Sequence, residues 1–462
     1  MAGFDLNVER VLEHWTVVFA MREVIANALD EAALTGTAEP EIARDEDGRW
    51  HIRDYGRGLR YEHLTQKEDR EKARHSELVV GKFGVGLKDA LATFDRRGIG
   101  VTIRSAHADM TLARLPKHGF EDLRTLHVLV DPPSDPTMAG TDIVLTGVKD
   151  DEVAAAKQLF LRYAGDELLE RTSIGAVLRR MKGRPARIYV NGLRVAEEER
   201  FLFSYDISSL TTPLRRALNR ERSNVGRSAY TDRVKAILLA ATAKPVADAL
   251  AADLAGFERG TQHEETNWLD VALHACRILN ASEKVVFLTS WQLMTAPAYV
   301  EHARKEGYRV VIVPDALQGK LGRAVDIAGN PIVDLGVFRD RWNEGFAFMF
   351  VDESDLSPEE RSVFARTKDI IALQGARPRG IREIRISQTM RINASGTAEV
   401  AGLWDEEQGR IVIKRDQLRG LPTYAGTLLH EVTHARSQTP DVSSDFEDAL
   451  THTLGAVAAR SL

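Results

Sequence analysis

Residues 21–32 read MREVIANALDEA and belong to a helical pattern that we predict over residues 8–35. Glu23 and Asn27 are four residues apart and Asp30 follows three later, so the three side chains share one helix face. A carboxylate can act as a general base, and an asparagine amide oxygen can hold Mg²⁺. Taken alone, the same spacing also fits a solvated helix face.

Two glycine-containing segments follow this helix. The first is HIRDYGRGL, residues 51–59, where a predicted strand runs into Asp54, Gly56 and Gly58. A carboxylate at this place can accept a hydrogen bond from the adenine amino group, and the glycines let the backbone approach the base. The second is GKFGVGLKDAL, residues 81–91, where glycine amides and a helix dipole favour a phosphate. Each segment alone also fits an ordinary turn.

In their order along the chain, these three segments resemble the GHKL ATPases, the family of the gyrase, heat-shock chaperone, mismatch-repair and histidine-kinase ATP-binding domains. The segment GKFGVG is most similar to the heat-shock chaperone and chromatin-associated MORC branches. Gly140 and Thr141 match the late Gly-Thr of the family, and the resemblance covers about residues 8–196. It implies an N-terminal α/β sandwich that binds ATP and Mg²⁺, and an ATP-dependent homodimer.

The resemblance also implies roles for individual residues. Glu23 would activate the attacking water in ATP hydrolysis, Asn27 would hold Mg²⁺, and Asp54 would bind adenine with Thr141 beside it. The charged residues 60–83 would form a mobile lid over ATP. The other residues implied in nucleotide binding are Asp30, Gly56, Gly58, Lys82, Gly84, Val85 and Gly86.

Many members of this family supply a lysine from the next domain to the γ-phosphate. Residues 218–235 offer Arg220, Arg222 and Lys235, and the sequence does not choose among them. The arginines of this region fit contact with nucleic acid, but they fit a solvated helix face as well. The net charge of −6 gives no overall basic excess, so nucleic acid is not favoured as a partner.

A second motif lies near the C-terminus, where residues 428–436 read LLHEVTHAR. His430 and His434 are four apart, so on a helix both rings project from one face, as two ligands of a tetrahedral Zn²⁺ would. Glu431 lies between them and can act as a general base. This H-E-x-x-H pattern resembles zincin metallopeptidases, and a predicted β-hairpin precedes it, as in small zincins. The pattern also fits a polar helix with exposed histidines.

A catalytic zinc needs a third protein ligand and an open position. We predict Glu447, on a following helix, as the third ligand, with Asp441 as the alternative. Asp445, Asp448 and His452 are further candidates in the same stretch. The following helix is predicted to bury Phe446, Leu450 and Leu454.

The composition limits the classes of protein to which the chain can belong. With 462 residues, 44% hydrophobic and 28% charged, the chain is predicted to be an α+β multidomain protein. One cysteine excludes an internal disulfide framework, and no long apolar stretch or signal-peptide core occurs, so we expect no membrane segment and a cytoplasmic location. The predicted domains are an ATP-binding domain (1–198), a mostly helical transducer or linker (199–262), a small α/β region (263–345) and a zincin-like domain (346–462). The sequence further predicts a charged helical segment over residues 150–182, a turn at Asn191-Gly192 and a glycine-containing linker over residues 256–267.

Together the motifs favour an ATP-regulated zinc metallopeptidase, in which ATP binding or hydrolysis controls cleavage of a protein or peptide substrate. One alternative is a non-proteolytic ATPase, chaperone-like or MORC-like, that acts on protein or DNA and carries a degenerate zincin module. Another is a toxin or defence effector in which ATP sensing guards the protease. A catalytic glutamate at position 23 favours the hydrolysing branches of the family over its kinases.

Overall fold

The computed structural model describes residues 2–6, 15–65, 79, 86–117, 120–220, 225–393, 395–441 and 443–461. Within these residues the protein is a mixed α+β multidomain protein, as the sequence predicts, with two compact units. The first unit contains residues 1–250 and 263–271, and the second contains residues 251–262 and 272–462. The predicted phosphate-contacting residues Lys82, Gly84 and Val85 lie outside the described residues, with most of the predicted lid.

Seven strands of the described chain form an antiparallel sheet in the first unit. They are β1 (Ala2–Asp5), β2 (Glu41–Arg44), β3 (Trp50–Arg53), β4 (Gly100–Ser105), β5 (Asp109–Lys117), β6 (Phe120–Asp131) and β7 (Thr141–Thr146). Their spatial order is β1-β6-β5-β4-β7-β3-β2. Arg53, at the end of β3, pairs with Asp142, at the start of β7. This register brings Asp54 and Thr141 together, although they are far apart in the sequence.

Helices cover this sheet and form the main core of the unit with it. They are α1 (Val17–Thr35), α2 (Gly86–Arg96) and α3 (Asp150–Lys157). Ile25 of α1 and Phe94 of α2 are fully buried against sheet residues such as Ile103 and Leu145. Because the apolar residues of α1 recur at helical spacing, one long face packs inward and carries the predicted site residues with it.

A five-stranded mixed sheet follows in the same unit, in the order β11-β10-β12-β9-β8. Its strands are β8 (Leu168–Thr172), β9 (Gly175–Arg179), β10 (Ala186–Val190), β11 (Leu193–Glu198) and β12 (Phe203–Ile207). The predicted turn at Asn191-Gly192 is confirmed, since both residues have positive φ and join β10 to β11. The prediction of helix over residues 150–182 is wrong beyond α4 (Leu161–Ala164), because Ala176, Val177 and Leu178 are buried in strand β9.

The region after residue 198 is only partly helical. Strand β12 lies between β10 and β9, so a domain boundary after residue 198 would divide one sheet. The helices are α5 (Thr212–Arg220), α6 (Thr231–Ala240), α7 (Lys244–Leu254) and α8 (Glu264–Asn267). The predicted linker over 256–267 contains the fully buried Glu265, whose carboxylate accepts hydrogen bonds from the backbone of Leu202 and Phe203 and from the Tyr205 hydroxyl. This segment is therefore anchored to the sheet.

The stretch predicted as a small α/β region contains a parallel strand pair with helices. After α9 (Leu269–Ser282), the elements are β13 (Val285–Leu288), α10 (Ser290–Thr295), α11 (Pro297–Lys305), β14 (Arg309–Ile312), α12 (Asp315–Leu321) and α13 (Leu335–Glu344). Strands β13 and β14 pair in parallel. Their side chains and those of α11 and α13 form a common core around Val286, Tyr299 and Phe338.

The C-terminal part of the second unit combines a four-stranded sheet with helices. Its elements are β15 (Phe350–Val351), α14 (Pro358–Phe364), α15 (Thr367–Gln374), β16 (Glu383–Ser387), β17 (Gly402–Asp405), β18 (Arg410–Lys414), α16 (Leu421–Ser437) and α17 (Ser444–Ser461). The strand order β15-β16-β18-β17 leaves β17 at one edge. Ile411, Ile413, Leu428 and Val432 join the sheet to α16. None of the described helices combines the length and apolar character needed to cross a membrane.

Candidate nucleotide and metal sites

The predicted adenine-binding residues lie at the junction of β3 and β7. The Asp54 carboxylate accepts hydrogen bonds from the backbone N–H of Gly56, at 2.9 Å, and of Thr141, at 3.3 Å. The Thr141 hydroxyl accepts one from the backbone N–H of Leu59, at 2.9 Å. Burial raises the pKa of Asp54 above its ordinary value, and the nearby charge of Glu31 adds to this effect. The structure thus brings Asp54, Gly56 and Thr141 together, as predicted.

Glycine is required at two positions of this junction by close packing. A Cβ atom on Gly140, whose φ is +76°, would lie 2.0 Å from the carbonyl oxygen of Asp54. A Cβ atom on Gly56 would lie 2.3 Å from Cγ of Glu31 on α1. Glu31 also binds the guanidinium of Arg57 through both carboxylate oxygens. Glu31 was not predicted from the sequence, yet it fixes the loop after β3 against α1.

On the predicted catalytic face of α1, Glu23 and Asp30 are buried and Asn27 is half-buried. Glu23 forms an ion pair of 2.7 Å with Arg22, and the guanidinium of Arg22 lies over the rings of Trp15 and Phe19. The side-chain amide nitrogen of Asn27 donates to the backbone oxygen of Glu23, at 2.9 Å, and Asp30 is fully buried. In this arrangement Arg22 holds Glu23 through the carboxylate oxygen Oε1.

The residues predicted to contact phosphate, and the basic residues that the next domain would supply to the γ-phosphate, lie only partly within the described residues. Gly86 begins α2 and is buried. Arg222 and the side chain of Arg220 lie outside the described residues, and Lys235 forms an ion pair of 3.0 Å with Asp270. A direct contact of these side chains with a phosphate therefore stays a prediction.

An ion cluster lies on the same sheet, close to the Asp54 junction. His51 on β3 contacts Asp142 on β7 through Nδ1, at 2.9 Å, and Asp45 after β2 through Nε2, at 3.2 Å. Burial alone would lower the pKa of His51, but the hydrogen bonds to Asp142 and Asp45 outweigh it and raise the pKa above 6.5. Protonated His51 therefore ties together three segments of the sheet.

We expect His51→Gln to lower the melting temperature of the protein by a few degrees at about pH 6, and by less at about pH 9. Because the pKa of His51 is higher in the folded protein, its contribution is fully present below the pKa of the unfolded chain. That contribution is lost as the pH rises through the folded pKa. Thermal unfolding followed by circular dichroism at both pH values measures the difference, and an equal loss at both would contradict the ion cluster.

The two histidines of the H-E-x-x-H pattern lie with Asp441 in a compact group. Nε2 of His430 and Nε2 of His434 are 3.2 Å apart. Oδ1 of Asp441 lies 3.2 Å from the first nitrogen and 3.1 Å from the second. Within the part of the chain that the structure describes, these are the three histidine, cysteine or acidic side chains whose ligand atoms lie close enough together to hold a metal ion.

The geometry of this group fits a tetrahedral zinc ion. Ligands at about 2.0–2.1 Å from zinc lie about 3.3 Å apart at the corners of a tetrahedron. The three atoms form a nearly equilateral triangle of this size. Nδ1 of His434 lies 2.8 Å from the carbonyl oxygen of Thr439. Since a carbonyl only accepts, Nδ1 carries the proton and Nε2 presents its lone pair to the centre of the group.

The prediction of Glu447 as the third ligand does not agree with this arrangement. Glu447 is exposed in the first turn of α17, whereas its neighbour Phe446 faces the site and stacks on His434 with ring centroids 4.0 Å apart. Adjacent helical residues differ in direction by about 100°, so Phe446 turns Glu447 away. The predicted buried face of α17 is also wrong at Leu454, which is 63% exposed, while Thr453 is buried instead.

Glu431 follows His430 on α16 and lies against the edge strand β17. Burial raises the pKa of Glu431 to about 8, and the charge of Asp441 adds to this effect. A hydrogen bond from the backbone N–H of Trp404 acts in the opposite direction and lowers the pKa. A Cβ atom on Gly402 would lie 2.7 Å from Oε1 of Glu431. A glycine inside a strand often marks such a close approach, so Gly402 was a readable signal that the sequence prediction missed.

Strand β17 has one side open within the described residues, since it pairs with β18 alone. The backbone N–H of Lys414 donates to the carbonyl oxygen of Ala401, one residue before the strand. Because hydrogen-bonded and non-bonded pairs alternate in an antiparallel ladder, the N–H and C=O groups of Gly402 and Trp404 point away from β18. The N–H of Trp404 donates to Glu431, so the N–H and C=O of Gly402 and the C=O of Trp404 are the groups left for an extended peptide beside Glu431.

Comparison with known proteins identifies relatives of the chain. A family described as the Mycoplasma pneumoniae MPN635 N-terminal domain matches residues 151–244. A Mycoplasma pneumoniae protein described as "Uncharacterized protein" is 36% identical over 243 residues, which make up 52% of this chain and 97% of the relative. The chain belongs to the family of that protein.

Two further Mycoplasma pneumoniae proteins with the same description are similar to the chain. One is 39% identical over 110 residues, which are 24% of this chain and 31% of that relative. The other is 25% identical over 178 residues, which are 37% of this chain and 92% of that relative. The family match at 151–244 contains the five-stranded sheet and neither candidate site. The chemistry assigned to the two sites therefore depends on their geometry.

Proposed function

We propose that the C-terminal part of this protein is a zinc-dependent peptidase. The observation that carries this proposal is the triangle of His430 Nε2, His434 Nε2 and Asp441 Oδ1, whose sides of 3.1–3.2 Å match three corners of a zinc tetrahedron. Three protein ligands leave one corner for water or substrate, which is the arrangement of catalytic rather than structural zinc.

The surrounding residues would each take one part in peptide hydrolysis. A bound zinc ion would supply Lewis acidity that polarises the scissile carbonyl and acidifies water. Glu431 would accept a proton from the attacking water and deliver it to the leaving amine. Strand β17 would hold the substrate in an extended conformation through the outward N–H and C=O of Gly402 and the C=O of Trp404. Burial of Glu431 keeps bulk water from competing for the proton.

The first unit, in this proposal, binds ATP with Mg²⁺ and regulates the peptidase. The Asp54 carboxylate, fixed by the backbone of Gly56 and Thr141, suits the exocyclic amine of adenine, and the oxygen ligands of α1 suit Mg²⁺. ATP would favour one of two states of the protein, which a homodimer would amplify. Its substrate would be a protein or peptide, and the chain would work as an ATPase as well as a protease.

We expect purified protein to contain about one zinc ion per chain, and His430→Ala to contain almost none. Loss of one nitrogen ligand leaves two, which do not hold zinc through desalting. Elemental mass spectrometry of the desalted proteins measures the content.

Glu447→Gln is the matched control, since Glu447 lies on the next helix but outside the triangle. It should keep its zinc, whereas loss of zinc would restore Glu447 as the third ligand. Absence of zinc from the wild-type protein after zinc loading would reject the peptidase. It would leave the alternative of a non-proteolytic ATPase with a degenerate zincin module.

A further inference from the structure

The segment that leads into the edge strand is held by the α/β region of the same unit. Ile392 is buried in the core formed by β13, α11 and α13. The backbone N–H of Ala298, in the first turn of α11, donates to the carbonyl oxygen of Gly396, at 3.3 Å. A Cβ atom on Gly396 would lie 3.1 Å from Cβ of Ala296. Residues just before β17 thus rest directly on the start of α11.

Glu399 forms the polar part of this junction, three residues before Gly402. One carboxylate oxygen lies 3.2 Å from Nε2 of His302 on α11, and the other lies 2.8 Å from Nζ of Lys414, the last residue of β18. The side chain of Glu399 is 15% exposed. The ring of His302 in turn contacts Trp342 of α13, with centroids 5.0 Å apart. Glu399 therefore joins the α/β region to the strand pair.

The position of this junction makes it important for peptide binding. Three extended residues span about 10 Å, so Glu399 lies close to the point where β17 meets Glu431. Strand β17 has a single paired neighbour within the described chain, and edge strands open easily when nothing else fixes them. A local shift of one residue would turn the outward backbone groups of Gly402 and Trp404 to the wrong side.

We propose that Glu399 is a positioning residue for substrate, and that the α/β region serves as a platform which holds the peptide-binding strand in register through Glu399 and His302. This role rests on the proposed peptidase function. Glu399 touches neither the metal triangle nor Glu431, so it acts through the strand alone. In this proposal, the function of the α/β region in the second unit is to fix the position of β17.

The test compares His302→Ala with His302→Gln in the full-length protein, with fluorescein-labelled casein as an unfolded substrate. Alanine removes the donor to Glu399, and KM is expected to rise about tenfold while kcat stays within about twofold, because the metal triangle is untouched. Glutamine retains an N–H donor and should restore KM. Lys305→Ala is the matched control, since Lys305 lies on the same helix and pairs with Glu301 at an exposed position.

Hydrogen exchange of the β17 amides provides a second readout that does not need activity. Exchange at residues 402–405 is expected to accelerate in His302→Ala and in Glu399→Ala, while residues 421–437 of α16 keep their protection. Unchanged KM and unchanged exchange in β17 would overturn the positioning role, even if the variants melted earlier. Absence of casein cleavage by the zinc-loaded wild type would instead reject the peptidase, and the exchange result would still decide whether Glu399 positions the strand.

Discussion

Glu431→Gln is expected to lower the rate of peptide hydrolysis by about 10²- to 10⁴-fold. Glutamine has nearly the same shape but cannot take a proton from water, so substrate binding and zinc content should stay unchanged. Glu431 lies against Gly402 and Trp404 of β17 and outside the triangle of His430, His434 and Asp441. The measurement is kcat on fluorescein-labelled casein, with zinc determined on the same preparations.

Glu447→Gln provides the comparison, because it makes the same chemical change at an exposed glutamate of the neighbouring helix. Its kcat should stay within about twofold of wild type. If Glu431→Gln cleaved casein as fast as the wild-type protein, the peptidase mechanism would be wrong even with zinc present. If cleavage were lost together with zinc, Glu431 would support the metal site instead of transferring a proton.

Asp54→Asn is expected to weaken the binding of Mg-ATP by about 30- to 100-fold, which follows from the loss of one charge-assisted hydrogen bond to the adenine amine. The asparagine amide would keep the size of the side chain, but one of its two ends would donate rather than accept. Isothermal titration of wild type and variant with Mg-ATP measures the dissociation constants. If ATP regulates the peptidase, casein cleavage by Asp54→Asn should no longer respond to ATP at concentrations that act on the wild type.

Asp47→Asn is the control for this prediction. Asp47 is an exposed aspartate in the turn between β2 and β3, and its partner is Arg49. Its replacement should leave the affinity for Mg-ATP unchanged. Equal affinities of wild type and Asp54→Asn for Mg-ATP would rule out the predicted contact between Asp54 and adenine. The main support for a nucleotide site in the first unit would then be lost.

Local structure was predictable from the sequence to a large extent. The four-residue spacing of His430 and His434 fixes both rings on one face of α16, and that helix is present over residues 421–437. The Asn191-Gly192 dipeptide predicts a hairpin because both residues tolerate positive φ, and the hairpin is confirmed. Such patterns act over a few residues, so no information from distant parts of the chain is needed.

Predictions that depended on distant contacts were less successful. The charged stretch 150–182 suggested a helix, but β8 and β9 form there, and β9 pairs with β12, which lies later in the sequence. The polar, glycine-containing stretch 256–267 was predicted as a linker, yet Glu265 is anchored by the backbone of Leu202 and Phe203. In both cases the stabilising partners are supplied by tertiary structure.

The sequence by itself determined the α+β class, the helix that carries the two histidines, and the set of residue types that can bind zinc or adenine. Only the tertiary structure placed Asp441, rather than Glu447, beside the two histidines, because this depends on how the chain turns after α16 and on Phe446 facing the rings. It also brought Thr141 beside Asp54, and Gly402 beside Glu431. The physical reason is that helical spacing is set by bonds within a few residues, whereas the direction of a side chain from another segment is set by packing of the whole core.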